Sequence, residues 1–259
     1  MDAVLEPIRK KSLATAVFEQ LRDRILHGHI QPGDSLPSER ILVERLQVNR
    51  GAVREGLKRL EQAGLVAITQ GGATSVLDFT KTAGLEILGA MIVGPGGEIN
   101  TTIARNVIEM RTSLAVQLVQ RAAQQKPSDQ LDSLHSILVQ MENHADEIDV
   151  LQQLAMDFWR IVVVHSGSIA YQLALNSLNA VYSKIQVHLR YILADEFQAL
   201  EDYTTLAKAI ENQEEIKAVE TTRRIVERGA QAIAGLLDEL DESKNSPAPN
   251  SEEPSSEHL

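Results

Sequence analysis

The chain has 259 residues, of which 43% are hydrophobic, with no cysteine and a formal net charge of −11 at pH 7. That length and apolar content suit about two domains with cores of their own; the missing cysteine excludes disulfides, thiolate zinc sites and cysteine nucleophiles, as expected of a reducing cytoplasm. No apolar run is long enough to span a bilayer, and the opening MDAVLEPIRKKSL has no apolar centre of the signal-peptide kind, so the expectation is a cytoplasmic protein with no membrane role.

The charge is uneven: the first 75 residues are mildly basic and the remainder strongly acidic. Such asymmetry suits a nucleic-acid partner for the N-terminal part, although two solvated surfaces would give it as well. Ser12 is placed to cap a first helix with Val17, Leu21 and Ile25 on one face, and Gly28 suits its end. A stiff turn follows in HGHIQPGDSLPSER, with Pro32, Gly33 and Pro37 setting the approach to a short helix whose Ile41, Leu42 and Leu46 face inward. Asn49 is the expected N-cap of a third helix carrying the apolar stripe Val53, Leu57, Leu60 and stopped by Gly64.

The hydrophobic period then changes. Val66 and Ile68, then Val76 and Leu77, flank TQGGAT and predict two strands around a Gly-Gly turn. Three helices and a hairpin make a winged helix-turn-helix over residues 1–78. After a linker and helix at 79–98, strand signals vanish. Amphipathic runs at 99–125, 128–145, 148–165, 169–194, 197–212 and 214–240 are broken at KPSD, HSGS and ADEF. They predict an all-helical bundle over 99–241, and the Ser/Pro/Glu-rich residues 242–259 read as a disordered tail. The fold class is therefore mostly α, with an α+β winged helix ahead of a helical-bundle domain.

The proline turn lets the second helix cross a DNA backbone while the third enters the major groove N-terminal end first. Arg50 and Arg54, at i and i+4, share a face opposite the apolar stripe; a planar guanidinium grips guanine or phosphate with two donors. Gly51 and Ala52 are small enough for close backbone approach, Arg40 suits a phosphate or base edge, and Gly71-Gly72 at the wing tip can present amides. The alternative is plain surface ion pairing of these arginines with Glu39, Glu44 and Glu55.

These residues carry a resemblance. GHIQPGDSLPSERILVERLQVNRGAVREGLKRLEQAGLV is similar throughout to the N-terminal domain of GntR-family bacterial transcription regulators, in the pattern G-x-I-x-P-G-x-x-L-P-S-E-R and then R-x-x-V-R-E-x-L-x-x-L-x-x-x-G-L. The resemblance implies operator contacts by Arg40, Asn49, Arg50, Gly51, Ala52, Arg54 and the wing tip Gly71 and Gly72. More loosely, GGATSVLDFTKTAGLEILGAM, VIEMRTSLAVQLVQRAA and FWRIVVVHSGSIAYQLALNSLNAVYSKI resemble the fatty-acid-responsive, FadR-like branch. That implies a homodimer on a palindromic operator, its DNA affinity changed by a small effector in the helical domain.

Two departures bear on the effector. Many relatives bind a metal through Asp and three His, but the matching positions are Ala155, Trp159, Tyr203 and Ile225, so neither metal nor cofactor is expected. The Ser-Gly-Glu-Ile-Trp stretch associated with acyl-CoA is replaced by ERGAQAIAGLL, so another acyl or carboxylate effector is as well supported. Arg111, on an apolar helix face near Ile108 and Leu114, is a candidate for the effector's anionic group, against a buried pairing with a glutamate. Trp159 and Tyr182 are further candidates, against ordinary core packing. The rival class is an enzyme or metabolite-binding helical protein using its winged helix for protein contacts. It would need paired carboxylates, histidine ligands or an activated nucleophile, and the sequence offers none; GPGGE lacks the Gly-Lys-Ser/Thr ending of a phosphate loop, and no Gly-x-Ser-x-Gly elbow occurs.

Overall fold

The computed structural model describes residues 12–69, 71–129, 131–183 and 185–245. They group into two compact units, residues up to 107 together with 169–187, and 108–168 together with 188 onward.

The first unit opens with α1 (Leu13–Leu26), capped by the Ser12 hydroxyl, which accepts from the Thr15 N–H. Next come α2 (Glu39–Leu46) and α3 (Arg50–Gln62), then β1 (Val66–Ile68) antiparallel to β2 (Thr74–Val76), with Val66 opposite Val76. Val17, Leu21, Ile25, Leu42, Val53, Leu57, Leu60, Val66 and Val76 bury one continuous core. These include the predicted α1 and α3 stripes. In α2 the side chains that join this core are Leu42, Val43 and Leu46. Ile41, expected inward, is only half-buried; the helix is rotated so that its neighbour Val43 packs instead.

The proline turn is more than a spacer. The Gly33 N–H donates to the Val76 carbonyl, Val76 N–H to Asp34 and Leu36 N–H to Thr74, each at 2.8 Å. The turn thus lies along β2 as a third, irregular strand. It ties the wing to the start of α2, because buried Leu36 lies two residues before Ser38, the N-cap of that helix. Gly64 ends the α3 segment at φ +68°, and a Cβ there would fall 2.3 Å from the Thr82 carbonyl oxygen. Only glycine fits both demands. The chain goes on through α4 (Phe79–Thr82), a 3-10 turn at Leu85–Ile87 and α5 (Leu88–Ile92). A glycine-rich loop follows, closed by the bridge Val93–Ile99.

Helix α6 (Thr101–Ala123) leads into the second unit. After it come α7 (Asp132–Asn143), α8 (Ile148–His165) and α9 (Ile169–Tyr182), the last grouped with the first unit. Then follow the single turns α10 (Gln186–Leu189) and α11 (Ala194–Phe197), and α12 (Leu200–Glu211) and α13 (Glu215–Asn245). In the second unit α12 packs on α7 and α13, and α11 lies against α8 and α13. Val119, Leu134, Met141, Leu151, Phe158, Leu206, Ile210 and Ile225 are among its fully buried side chains. The run expected as one helix over 169–194 is broken after Tyr182. There Ser183 turns its hydroxyl back onto the Ala180 carbonyl, a local bond that competes with helix continuation. Residues 242–245, expected within the disordered tail, are the end of α13; 246–259 lie outside the described residues.

Candidate DNA-reading surface and helical-domain interior

The Asn49 side chain accepts the Ala52 N–H at 2.8 Å, satisfying one orphan donor of the α3 N-terminus. With Val53, Leu57 and Leu60 buried, the opposite face must point outward. Arg50, Gly51 and Arg54 are exposed there. Among the described residues Arg50 makes no ion pair. Arg54 donates from Nε to both Glu39 carboxylate oxygens, at 2.9 and 3.1 Å, with side-chain exposures of 62% and 36%. Arg40 pairs with Glu44 at 2.8 Å, both well exposed. The surface pairing weighed from the sequence therefore exists for two of the three arginines. It does not lock them, since pairs this exposed stabilise by about 0–1 kcal/mol and exchange readily for phosphate.

Ala52 differs from its neighbours. It is buried and its N–H is held by Asn49, so it shapes the helix start and presents no side chain to a partner. Lys58, one turn beyond Arg54, is exposed and extends the basic stripe at i, i+4, i+8. Its i+4 spacing from Arg54 is the sequence signal that marks it. At the wing, Gly71 and Gly72 are exposed. Gly71 has φ +74° and open space around it, so backbone can approach a duplex there without a side chain intervening. Gln70 lies outside the described residues.

In the second unit the central feature is the pair Arg111–Glu196. Arg111 Nη2 donates to Glu196 Oε1, with side-chain exposures of 33% and 1%. Burial raises the Glu196 carboxyl above the ordinary glutamate range, and the positive charges of Arg111 and Arg228 only partly offset this. Its second oxygen, Oε2, has no hydrogen-bond partner. Gly229 lies under that oxygen, where a Cβ would come within 1.9 Å of it. Beside the pair, the Tyr203 phenol is fully buried and resists ionisation, chiefly through burial and next through the Glu196 charge. Trp159 is near enough for its N–H to favour the phenolate, yet neither the indole Nε1 nor the Tyr203 hydroxyl completes a hydrogen bond of normal geometry. Phe158 stacks edge-on to both rings. A second cluster lies on α12 and α13. There burial tends to raise Asp202, but hydrogen bonds from Arg228 and Arg224 outweigh it and hold the carboxyl below its usual range.

Arg111 and Trp159 thus belong to one interior. Tyr182, the last residue of α9, is half-buried and belongs to the other unit. Glu196 was not singled out from the sequence: ADEF reads as a helix break, and nothing local says that one acid of a one-turn helix points inward. Ala155, Tyr203 and Ile225 are buried and Trp159 is half-buried. An alanine, an isoleucine, an indole N–H and a phenol held in its neutral form do not make a ligand set for a metal. Among the described residues no helix is long and apolar enough to cross a membrane.

An α3 with its arginines outward, a wing tied to the preceding turn and a separate helical unit define a DNA-binding transcription regulator. The comparisons agree. Residues 13–76 match the model of the "Bacterial regulatory proteins, gntR family", and residues 77–244 that of the "FadR C-terminal domain". The chain belongs to the GntR family, in the branch that carries a FadR C-terminal domain, and its relatives are regulators rather than enzymes. It is 34% identical to the HTH-type transcriptional regulator Mce2R of Mycobacterium tuberculosis, over 90% of this chain and 96% of that one. It is 30% identical to the fatty acid metabolism regulator protein of Salmonella paratyphi C, over 84% and 89%. Among solved structures, Lar of Listeria monocytogenes aligns with a TM-score of 0.54 at 14% identity, over 87% of this chain and 98% of that one, a likeness of fold.

Proposed function

We propose that the chain binds a palindromic operator as a homodimer in the cytoplasm, and that an acyl or carboxylate effector in the helical domain changes its DNA affinity. A single winged helix reads only a few base pairs. Two copies with half-sites about 34 Å apart supply both affinity and specificity. Arg50, exposed at the α3 N-terminus and in no ion pair among the described residues, is the observation that carries the DNA side of this reading. It is free to take guanine O6 and N7, while Arg54 exchanges Glu39 for a neighbouring base or phosphate and Arg40 leaves Glu44 for the backbone. Gly71 and Gly72 bring wing amides to the flanking phosphate or minor groove.

The effector side rests on the second unit's interior. Arg111 offers charge, and Trp159 and Tyr203 offer polar atoms without a normal hydrogen bond, among buried apolar side chains such as Phe158. Tyr182 enters this reading only as the hydroxyl-bearing residue of AVYSKI. The Salmonella relative's name makes a fatty acid or its thioester a natural first probe. Effector binding alters the preferred separation of the two recognition helices, and the misfit with half-site spacing is the coupling free energy between sites.

The test is fluorescence anisotropy with DNA from the chain's own upstream region, in a salt titration, with and without oleate or oleoyl-coenzyme A. The reading expects a steep salt dependence, a stoichiometry of two chains per site and a shift of affinity with one of the ligands. Binding of random DNA with equal affinity would defeat the operator reading, and indifference to every acyl ligand the effector reading.

A further inference from the structure

We propose that Glu196 is the resident occupant of the anion position opposite Arg111, and that the effector is a carboxylate that takes this position over. The inference rests on reading the helical domain as an effector sensor, and it names the chemistry by which that sensor is kept closed.

Four observations converge. Glu196 is 1% exposed and already engages Arg111, so an incoming anion meets a competitor. The competitor is poorly held, because Oε1 reaches the guanidinium while Oε2 has no partner. Further donors are close by and not fully used: the Tyr203 hydroxyl lies within electrostatic reach of the pair and the Trp159 N–H beside that hydroxyl, neither with a hydrogen bond of normal geometry. Finally, Glu196 rides on α11, a four-residue helix packed on α8 and α13. A single turn of helix can shift or fray without breaking a long hydrogen-bond ladder.

Exchange then runs as ion-pair replacement. The effector carboxylate accepts from Arg111 and from the unsatisfied donors, Glu196 takes a proton or leaves for water, and α11 moves relative to α8 and α13. That movement is the local two-state element a sensor requires. A thioester carbonyl is uncharged and gains far less than a carboxylate from the departure of Glu196. This distinguishes a free acid from its coenzyme A ester.

The experiment uses the full chain, with the emission of Trp159, its only tryptophan, as reporter and calorimetry for affinity. Probes are hexanoate and oleate, with oleoyl-coenzyme A as contrast. Glu196→Gln keeps the shape and removes the competing charge. It should bind both acids about tenfold more tightly than wild type while leaving the thioester within about twofold. Wild type carries a second readout should Glu196→Gln not fold. The charged or titratable groups that act on Glu196 are Arg111 on α6, Arg228 on α13 and Tyr203 on α12. Burial raises the Glu196 carboxyl above the ordinary glutamate range, so of two pH values at which hexanoate stays ionised, the acid should bind wild type more tightly at the lower, where the competitor is more often neutral. Acid binding by wild type that is unchanged in Glu196→Gln, or equal at the two pH values, would overturn the proposal and leave the effector reading standing. Failure of both proteins to bind either acid would overturn both.

Discussion

Two arginine–glutamate pairs in this molecule have the same chemistry and opposite consequences. Arg54–Glu39 lies on the proposed DNA-reading surface in a solvent-exposed setting, and Arg111–Glu196 lies in the helical interior with its carboxylate almost wholly buried. In water the first pair is weak and interchangeable, so the arginine is parked rather than committed. In the interior the second pair stands between a buried anion and a large desolvation penalty. Solvent, not residue type, decides which pair is readily exchanged and which is a structural element.

The comparison breaks first if the interior pair proves cheap to remove. Arg111→Ala should destabilise the chain by about 2–3 kcal/mol, the lower side of buried-pair losses because Arg111 is one-third exposed. Urea denaturation near neutral pH measures this, and a loss no greater than that of a surface pair would erase the contrast. The pH dependence sharpens it. Since burial raises Glu196 above its ordinary 4.5, the folded state holds the proton more tightly than the unfolded one. The carboxyl's contribution is fully present below about pH 4.5 and lost as pH rises through the folded-state value. Glu196→Gln removes that slope, so its stability relative to wild type should increase with pH above about 4.5; parallel curves would mean that Glu196 is solvated.

Of similar size, but in the first unit, is Gly64→Ala. The left-handed backbone and the Cβ clash with the Thr82 carbonyl together predict a loss of about 2 kcal/mol in thermal or urea unfolding. An alanine tolerated there would mean that the end of α3 and the end of α4 are held less closely than described. Smallest is Glu39→Gln: stability should change by less than about 1 kcal/mol, because the pair is exposed. Operator binding should hold or improve, since Arg54 loses its competitor; a large loss of stability would place that pair with the buried one.

The same contrast explains what the sequence made legible. The head is built from local rules: Ser12 and Asn49 as caps, Gly64 as a stop, Val53, Leu57 and Leu60 on one stripe, prolines fixing a turn. Each is readable within about one helical turn of its neighbours, so α1, α3 and the hairpin fall where periodicity puts them. Exceptions occur where packing overrides period. Val43 rather than Ile41 joins the core, and Ala52 turns inward within an otherwise outward-facing start. In the second unit the essential partners are 85 residues apart, Arg111 and Glu196. Periodicity says that Arg111 lies on an apolar face and allows a glutamate partner, but not which one. Nor does it show that a run expected as a single helix breaks after Tyr182, ahead of the short turn that carries Glu196.

The central claim is that the outward arginines of α3 read DNA. Its most direct measurement is the operator affinity of Arg50→Ala, by fluorescence anisotropy at fixed salt, alongside its melting curve. Because Arg50 is exposed and makes no ion pair among the described residues, the account predicts an unchanged melt with specific binding weakened by about 1–3 kcal/mol. An Arg50→Ala protein that melts like wild type and binds operator just as tightly would contradict it.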